Sequence, residues 1–147
     1  MKIVLAIDGS RFSDAAVQLA MAQARPTDEI RVLHVLEPPT LLATREMGGY
    51  HSALEREWET EKKVAHELVE KTAELYRSKG MKATGSVQEG DAKSTILQAA
   101  KEWRADLIVL GSHGRKGLEH FLLGSVAEAV ARHAGCSVEI VRIGSRW

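Results

Sequence analysis

Three glycines and a serine stand at a spacing that could hold an anion: Gly111-Ser112-His113-Gly114 is followed, nine residues further on, by Gly124-Ser125. Glycines at 111 and 114 allow positive φ and close backbone approach. Gly124-Ser125-Val126 offers a hydroxyl and unpaired amide hydrogens where a helix begins, and backbone amides with the helix dipole favour phosphate oxygens. Arg115 and Lys116 add positive charge in the same loop, and His113 can donate to a phosphate oxygen. The chemistry implied is the cradling of a polyphosphate. The same glycines would equally serve as plain turns, and spacing alone does not separate the two. Neither G-x-x-x-x-G-K-[ST] nor G-x-G-x-x-G occurs, so the P-loop, kinase and dinucleotide-dehydrogenase readings fall away.

Other reactive residues form weaker patterns. The six histidines (34, 51, 66, 113, 120 and 133) contain no i, i+4 pair of the kind a helical zinc site uses. Ser10, Ser13, Asp14 and His34 lack the G-x-S-x-G elbow that would expose a nucleophile. Cys136 is the single cysteine, which rules out an internal disulfide and reads as a small core residue.

The elements that must position the glycine segment follow from hydrophobic pattern. Ile3 to Ile7 is a β-branched run stopped by Asp8-Gly9-Ser10, and a helix follows with Ala15, Leu19 and Ala22 on one face and Ala16 and Ala20 beside them. Ser10 or Ser13 caps it and Pro26 closes it. Ile30 to Leu36 is a second strand, stopped by Pro38-Pro39. Pro39 to Tyr50 has no clear period and reads as a loop or lid. His51 to Lys79 is a helix with Leu54, Trp58, Val64, Ala65, Leu68, Thr72 and Leu75 as its apolar stripe. Met81 to Gln88 is a third strand, followed by a helix carrying Ile96, Leu97, Ala100 and Trp103. Asp106 to Leu110 is a fourth strand. A helix with Leu122, Val126, Ala129, Val130 and His133 on one side leads to a last strand, Ser137 to Ile143. Strands alternating with helices require right-handed crossovers into a parallel sheet covered on both faces. Ligands then bind beyond the strands' carboxyl ends, where the strand order reverses.

Composition narrows the partners. The chain has 147 residues, which suits one domain spanning 1–147, and 20 Lys+Arg balance 20 Asp+Glu. No global positive field attracts nucleic acid or an anionic membrane, and 5% aromatics leave little for base stacking. With no apolar run near the roughly 20 residues of a membrane span and a single cysteine, the expected setting is cytoplasmic. Many charges compensate on the long helix, while Arg115 and Lys116 suggest a small basic site.

The whole chain resembles the universal stress protein family. Ile3-Val4-Leu5-Ala6-Ile7-Asp8-Gly9-Ser10, Leu33-His34-Val35, Glu89-Gly90-Asp91 and Gly111 through Glu128 match its pattern, and Gly111, Gly114, Gly124 and Ser125 fulfil the G-x2-G-x9-G-[ST] motif of its ATP-binding branch. The resemblance implies a Rossmann-like α/β fold of the adenine nucleotide alpha hydrolase-like kind, a five-stranded parallel sheet of order 3-2-1-4-5 with four helices. It implies ATP, with Mg2+, between the first and fourth strand ends. Asp8 would lie near the ribose and any phosphate-bound metal, Ala6 and Ile7 along the base or sugar, and Val35 would hold adenine through its backbone. Leu110 and Gly111 would flank the ribose and α-phosphate. Gly114, Gly124, Ser125 and Val126 would hold the phosphates, with His113 and Arg115 in the same loop.

The resemblance further implies a regulatory homodimer whose last strands, Ser137 to Ile143, pair antiparallel, together with an unidentified protein partner. Ala92 stands where many members have proline, and Ser137-Val138-Glu139-Ile140 replaces a more apolar strand. Glu139 would then oppose an odd-numbered residue and never Arg142. Two other functions fit the same elements: a slow ATPase or a phosphoryl or nucleotidyl transferase in this pocket, and a dimerisation module that binds no nucleotide.

Overall fold

A computed structural model describes residues 1–39, 48–115 and 122–144. Strands β1 (Lys2–Ala6), β2 (Glu29–Leu36), β3 (Lys82–Glu89), β4 (Leu107–Gly111) and β5 (Ser137–Val141) alternate with helices α1 (Arg11–Gln23), α2 (Gly48–Arg77), α3 (Ala92–Trp103) and α4 (Ser125–His133). The sheet runs β3-β2-β1-β4-β5 with every neighbouring pair parallel, as the resemblance implies.

Why the strands read as unbroken apolar runs is visible in the two cores. Successive side chains point to opposite faces, so Ile3 and Leu5 meet Ala16, Val69, Ala73 and Tyr76 of α1 and α2. Val4 and Ala6 meet Ile96, Ala100, Ala127 and Val130 of α3 and α4. Both faces are covered, so neither can be polar. Local signals set the helix ends. Ser10 caps α1 by accepting the Ser13 amide, and Asp91 caps α3 by accepting the Ser94 amide. Arg104, in the left-handed region at φ 54°, ends α3.

Three helices are turned or bounded differently from their periodicity. In α2 the sheet-facing residues are Ala65, Val69, Thr72, Ala73 and Tyr76, whereas Val64 and Leu75 are 50% and 40% exposed. The reason is close approach: a Cβ on Gly85 of β3 would lie 3.0 Å from the Val69 backbone, so Ala65, Val69, Thr72 and Ala73 fit beneath the helix, and Tyr76 is the large side chain buried on the same face. In α1 the buried face is Phe12, Ser13, Ala16, Val17 and Ala20, and Leu19 and Ala22 face solvent. In α4, Leu122 precedes the helix and is 78% exposed, and His133 is exposed at its end. The sheet ends at Val141, leaving Arg142 and Ile143 beyond β5. Of the expected lid, residues 48–50 begin α2 and residues 40–47 lie outside the described residues.

Tyr76 ties the α1–α2 layer together. Its hydroxyl is fully buried and donates to the Val17 carbonyl at 2.7 Å.

Candidate functional site

The strand order reverses between β1 and β4, and there the carboxyl ends open into a cavity of about 550 Å³. Its size suits a small-molecule ligand. Ala6, Ile7, Asp8, Val35, Leu110, Gly111, His113, Gly114, Arg115, Gly124, Ser125 and Val126 all line it. Tertiary structure thus brings together these twelve residues singled out in the sequence. Lys116 lies outside the described residues.

Of the two freedoms expected of the glycines, positive φ is not used and close approach is. Positive φ is found at Gly9, Gly80 and Gly90 and at none of Gly111, Gly114 or Gly124. What these three require is the absence of a Cβ. At Gly111 it would lie 2.7 Å from the Phe12 carbonyl carbon, because α1 packs directly on the end of β4. At Gly124 it would lie 3.1 Å from the Ser112 carbonyl oxygen, which accepts the Gly124 amide at 2.7 Å. At Gly114 it would meet Asp8 Oδ2 at 2.9 Å. Two of the three glycines therefore fit backbone against backbone and the third seats a carboxylate.

That carboxylate links the loops after β1 and β4. Asp8 Oδ1 accepts the Ser10 amide at 2.9 Å and Oδ2 accepts the Arg115 amide at 3.0 Å. The Asp8 amide donates to Ser13 Oγ at 3.3 Å, so Ser13 serves the turn rather than acting as a nucleophile. Gly9 needs its left-handed φ of 78°, and the Arg115 guanidinium passes so close that a Cβ there would lie 3.1 Å from Nη2.

Donors collect where α4 begins. Gly124 is its N-cap with no side-chain hydrogen bond, and Ser125, Val126 and Ala127 line the cavity in the first turn. Their amides precede the first intrahelical donor, the Glu128 amide that bonds the Gly124 carbonyl, and are free to bind oxygens. His113 is held beside them, with Nδ1 2.9 Å from Ser112 Oγ and its ring 5.1 Å from that of Phe12.

Several lining residues were not anticipated: Ser13, Leu33, His34, Leu36, Glu37, Glu61, Asp91, Ala92, Lys93, Ile96 and Ala127. The α3 residues follow the Glu89-Gly90-Asp91 turn, whose strand-end position was a usable signal. Glu61 had none, because only packing tells which turn of a long helix overlooks the cavity. These additions change the electrostatic picture. Described lining residues include the carboxylates of Asp8, Glu37, Glu61 and Asp91 against the cations Lys93 and Arg115, so the cavity is not the small basic site expected from the loop alone. Ser94 donates both its hydroxyl and its amide to Asp91, holding that carboxyl below its usual range. Among the described residues no group of three or more His, Cys, Asp or Glu could hold a metal ion. Cys136 packs on the α3–α4 core, and burial followed by the charge of Asp106 pushes its thiol up, away from reactivity.

Comparison with known proteins finds the same fold. Residues 1–142 match the model of the universal stress protein family. The chain belongs to that family. Universal stress protein MJ0531 of Methanocaldococcus jannaschii is 33% identical over 142 residues, covering 96% of this chain and 81% of its own. Universal stress protein YxiE of Bacillus subtilis is 36% identical over 149 residues, covering 96% and 98%. Among solved structures, hypothetical protein MJ0577 superposes with a TM-score of 0.82 at 24% identity over 99% of this chain and 97% of its own. Two further members of the fold were solved with ligands. One is a universal stress protein in complex with cAMP, with TM-score 0.63, 21% identity and coverage of 97% and 96%. The other is a family member from Arabidopsis thaliana with AMP bound, with TM-score 0.64, 20% identity and coverage of 99% and 93%. At these identities the structural likeness establishes the fold. No described helix is long and apolar enough to cross a membrane.

Proposed function

We propose that the strand-end cavity binds an adenine nucleotide, ATP with Mg2+ in its fullest form, and that the chain works as a nucleotide-responsive regulatory homodimer. The observation that carries the reading is the pairing of an apolar slot with a row of free amides in one cavity. Ala6, Leu33, Val35, Ile96 and Leu110 supply the slot, on the α3–α4 side of the sheet. Ser125, Val126 and Ala127 supply the amides. A planar base fits the first and phosphate oxygens the second. That relatives of this fold hold cAMP and AMP supports the same choice.

Backbone amides and the Ser125 hydroxyl would hold the phosphates, with Lys93 and Arg115 offsetting their charge. Mg2+, if bound, would be carried mainly by phosphate oxygens and would supply further charge neutralisation there. By the family resemblance, Asp8 would be the carboxylate near that ion. Each Asp8 oxygen already accepts a backbone amide, which suits positioning better than proton abstraction. This favours binding over rapid turnover.

The dimer is proposed through β5, which is an open edge of the sheet with Val138, Glu139 and Ile140 only partly buried. Analytical ultracentrifugation is expected to find a dimer at micromolar concentration, and a monomer would exclude this interface.

Calorimetric titration with ATP, ADP, AMP and cAMP, with and without Mg2+, tests the nucleotide reading. Ser125→Glu is the decisive variant. An acidic residue in the first turn favours the helix, so the fold stays intact, while its charge opposes phosphate. ATP affinity is expected to fall at least about tenfold, equivalent to about 1.4 kcal/mol. Unchanged affinity would sink the phosphate assignment.

A further inference from the structure

The cavity contains a buried side chain to which neither the glycine motif nor the phosphate site gives a role. His34 on β2 is only 4% exposed and lines the cavity. Its Nδ1 lies 2.6 Å from the Ile7 carbonyl oxygen. A carbonyl only accepts, so Nδ1 carries the hydrogen, and in the neutral ring Nε2 is left as a bare acceptor. Among the described residues Nε2 has no partner. Yet among the described residues no side-chain nitrogen or oxygen closed off from solvent is left unbonded, so Nε2 is open to solvent, and the cavity is the space His34 lines.

Its position selects what it meets. Leu33 of β2 points to the α3–α4 face and pairs in register with Ala6, which places His34 level with Ile7 and on the opposite, α1–α2 face. Val35 returns to the α3–α4 side, where the apolar slot lies. His34 therefore stands across the sheet end from the base slot and beside the Asp8 turn. Asp8 and Glu61 line the same cavity, and both are acceptors. A wall of acceptors facing a row of amide donors suits a ligand that is anionic at one end and carries hydroxyl donors next to it.

We propose that His34 Nε2 accepts a hydrogen bond from one sugar hydroxyl, 2′ or 3′, of the bound nucleotide and so makes the site select against the analogue that lacks that hydroxyl. The proposal rests on the adenine-nucleotide reading above. The Nδ1–Ile7 bond acts as the positioning device, fixing the tautomer and the ring plane so that the acceptor is permanently presented.

The test compares ATP with 2′-deoxy-ATP and 3′-deoxy-ATP by calorimetry on the wild-type chain and on His34→Asn. Asparagine retains an N–H near the position of Nδ1 for the Ile7 carbonyl and deletes the acceptor at Nε2. The wild type is expected to bind ATP roughly tenfold more tightly than one of the two deoxy analogues, as one hydrogen bond of about 1.4 kcal/mol predicts. In His34→Asn that preference should drop below about twofold, with affinity for the same deoxy analogue unchanged. The retained deoxy affinity reports that the variant is folded. If the preference survives in His34→Asn, or if affinities for all three nucleotides fall together, the proposal is overturned. Equal binding of all three by the wild type overturns it without recourse to any variant. Binding of none of them by folded wild-type protein removes the nucleotide reading itself, a result distinct from the loss of sugar selectivity.

Discussion

Two walls of one cavity are built on opposite principles. Along the β4–α4 segment the structure depends on atoms that are missing: Gly111 lets the Phe12 backbone approach, and Gly124 lets the Ser112 carbonyl approach. Around β1, β2 and the start of α3 it depends on atoms that are present: the Asp8 carboxylate, the His34 ring and the Asp91 cap. A wall made from backbone tolerates the loss of neighbouring side chains but not the addition of one. A wall made from side chains has the reverse sensitivity.

Substitutions that add or remove atoms should therefore separate the two kinds of contact. The largest effect is expected for Gly111→Val, where every new atom meets the α1 backbone. Overpacking of this kind costs about 3 kcal/mol, seen as a lower urea midpoint with unchanged slope. Gly124→Ala should cost less, about 1.5 kcal/mol, because its Cβ would lie at 3.1 Å from a carbonyl oxygen that can shift slightly. It should also weaken ATP binding by moving the α4 amides.

Removing atoms away from the glycines gives smaller losses. Tyr76→Phe deletes the hydroxyl that donates to Val17 and should cost about 1 kcal/mol at neutral pH. Burial pushes the Tyr76 phenol well above its usual value of 10.0. A raised folded pKa gives stability that is complete below the unfolded pKa and fades as pH rises past it. The gap between wild type and Tyr76→Phe should thus narrow only above about pH 10. Asp91→Ala is the mildest, since this cap faces solvent. Its carboxyl is held below the ordinary 3.8 by the Ser94 hydroxyl and amide, so the stabilisation exists above that value and is lost as pH falls through the lower folded pKa. Chemical unfolding from pH 7 to pH 3 should show a constant deficit in Asp91→Ala that disappears only at the acid end. A deficit unchanged at pH 3 would assign the cap's effect to helix geometry alone.

The β5 edge illustrates a different division. Val109 and Glu139 are aligned in register, and Val109 belongs to the α1–α2 core, which directs Glu139 to that same side of the sheet. The period-two pleat of the strand accounts for this sidedness. Helix faces were harder to read. Val64 and Leu75 fit a helical period as well as Ala65 and Tyr76 do, and only packing decides the face: α2 lies close on β3 at Gly85, and Tyr76 is buried where its hydroxyl reaches the Val17 carbonyl.

What the residue string carried was local or periodic: strand runs broken by turn residues, a cap at Ser10 or Ser13, the α/β alternation and the glycine spacing that marks the family. Each depends on neighbours a few positions apart, so each can be read without coordinates. Tertiary structure decided what depends on distance across the fold: that Asp8 reaches Arg115, that His34 meets Ile7, and that four carboxylates share the cavity with the α4 amides. It also narrowed the reason for the motif from positive φ or close approach to close approach alone. Gly111 and Gly124 are glycines because another segment's backbone lies within 3.1 Å of where a Cβ would stand, a contact between chain segments that no single segment encodes.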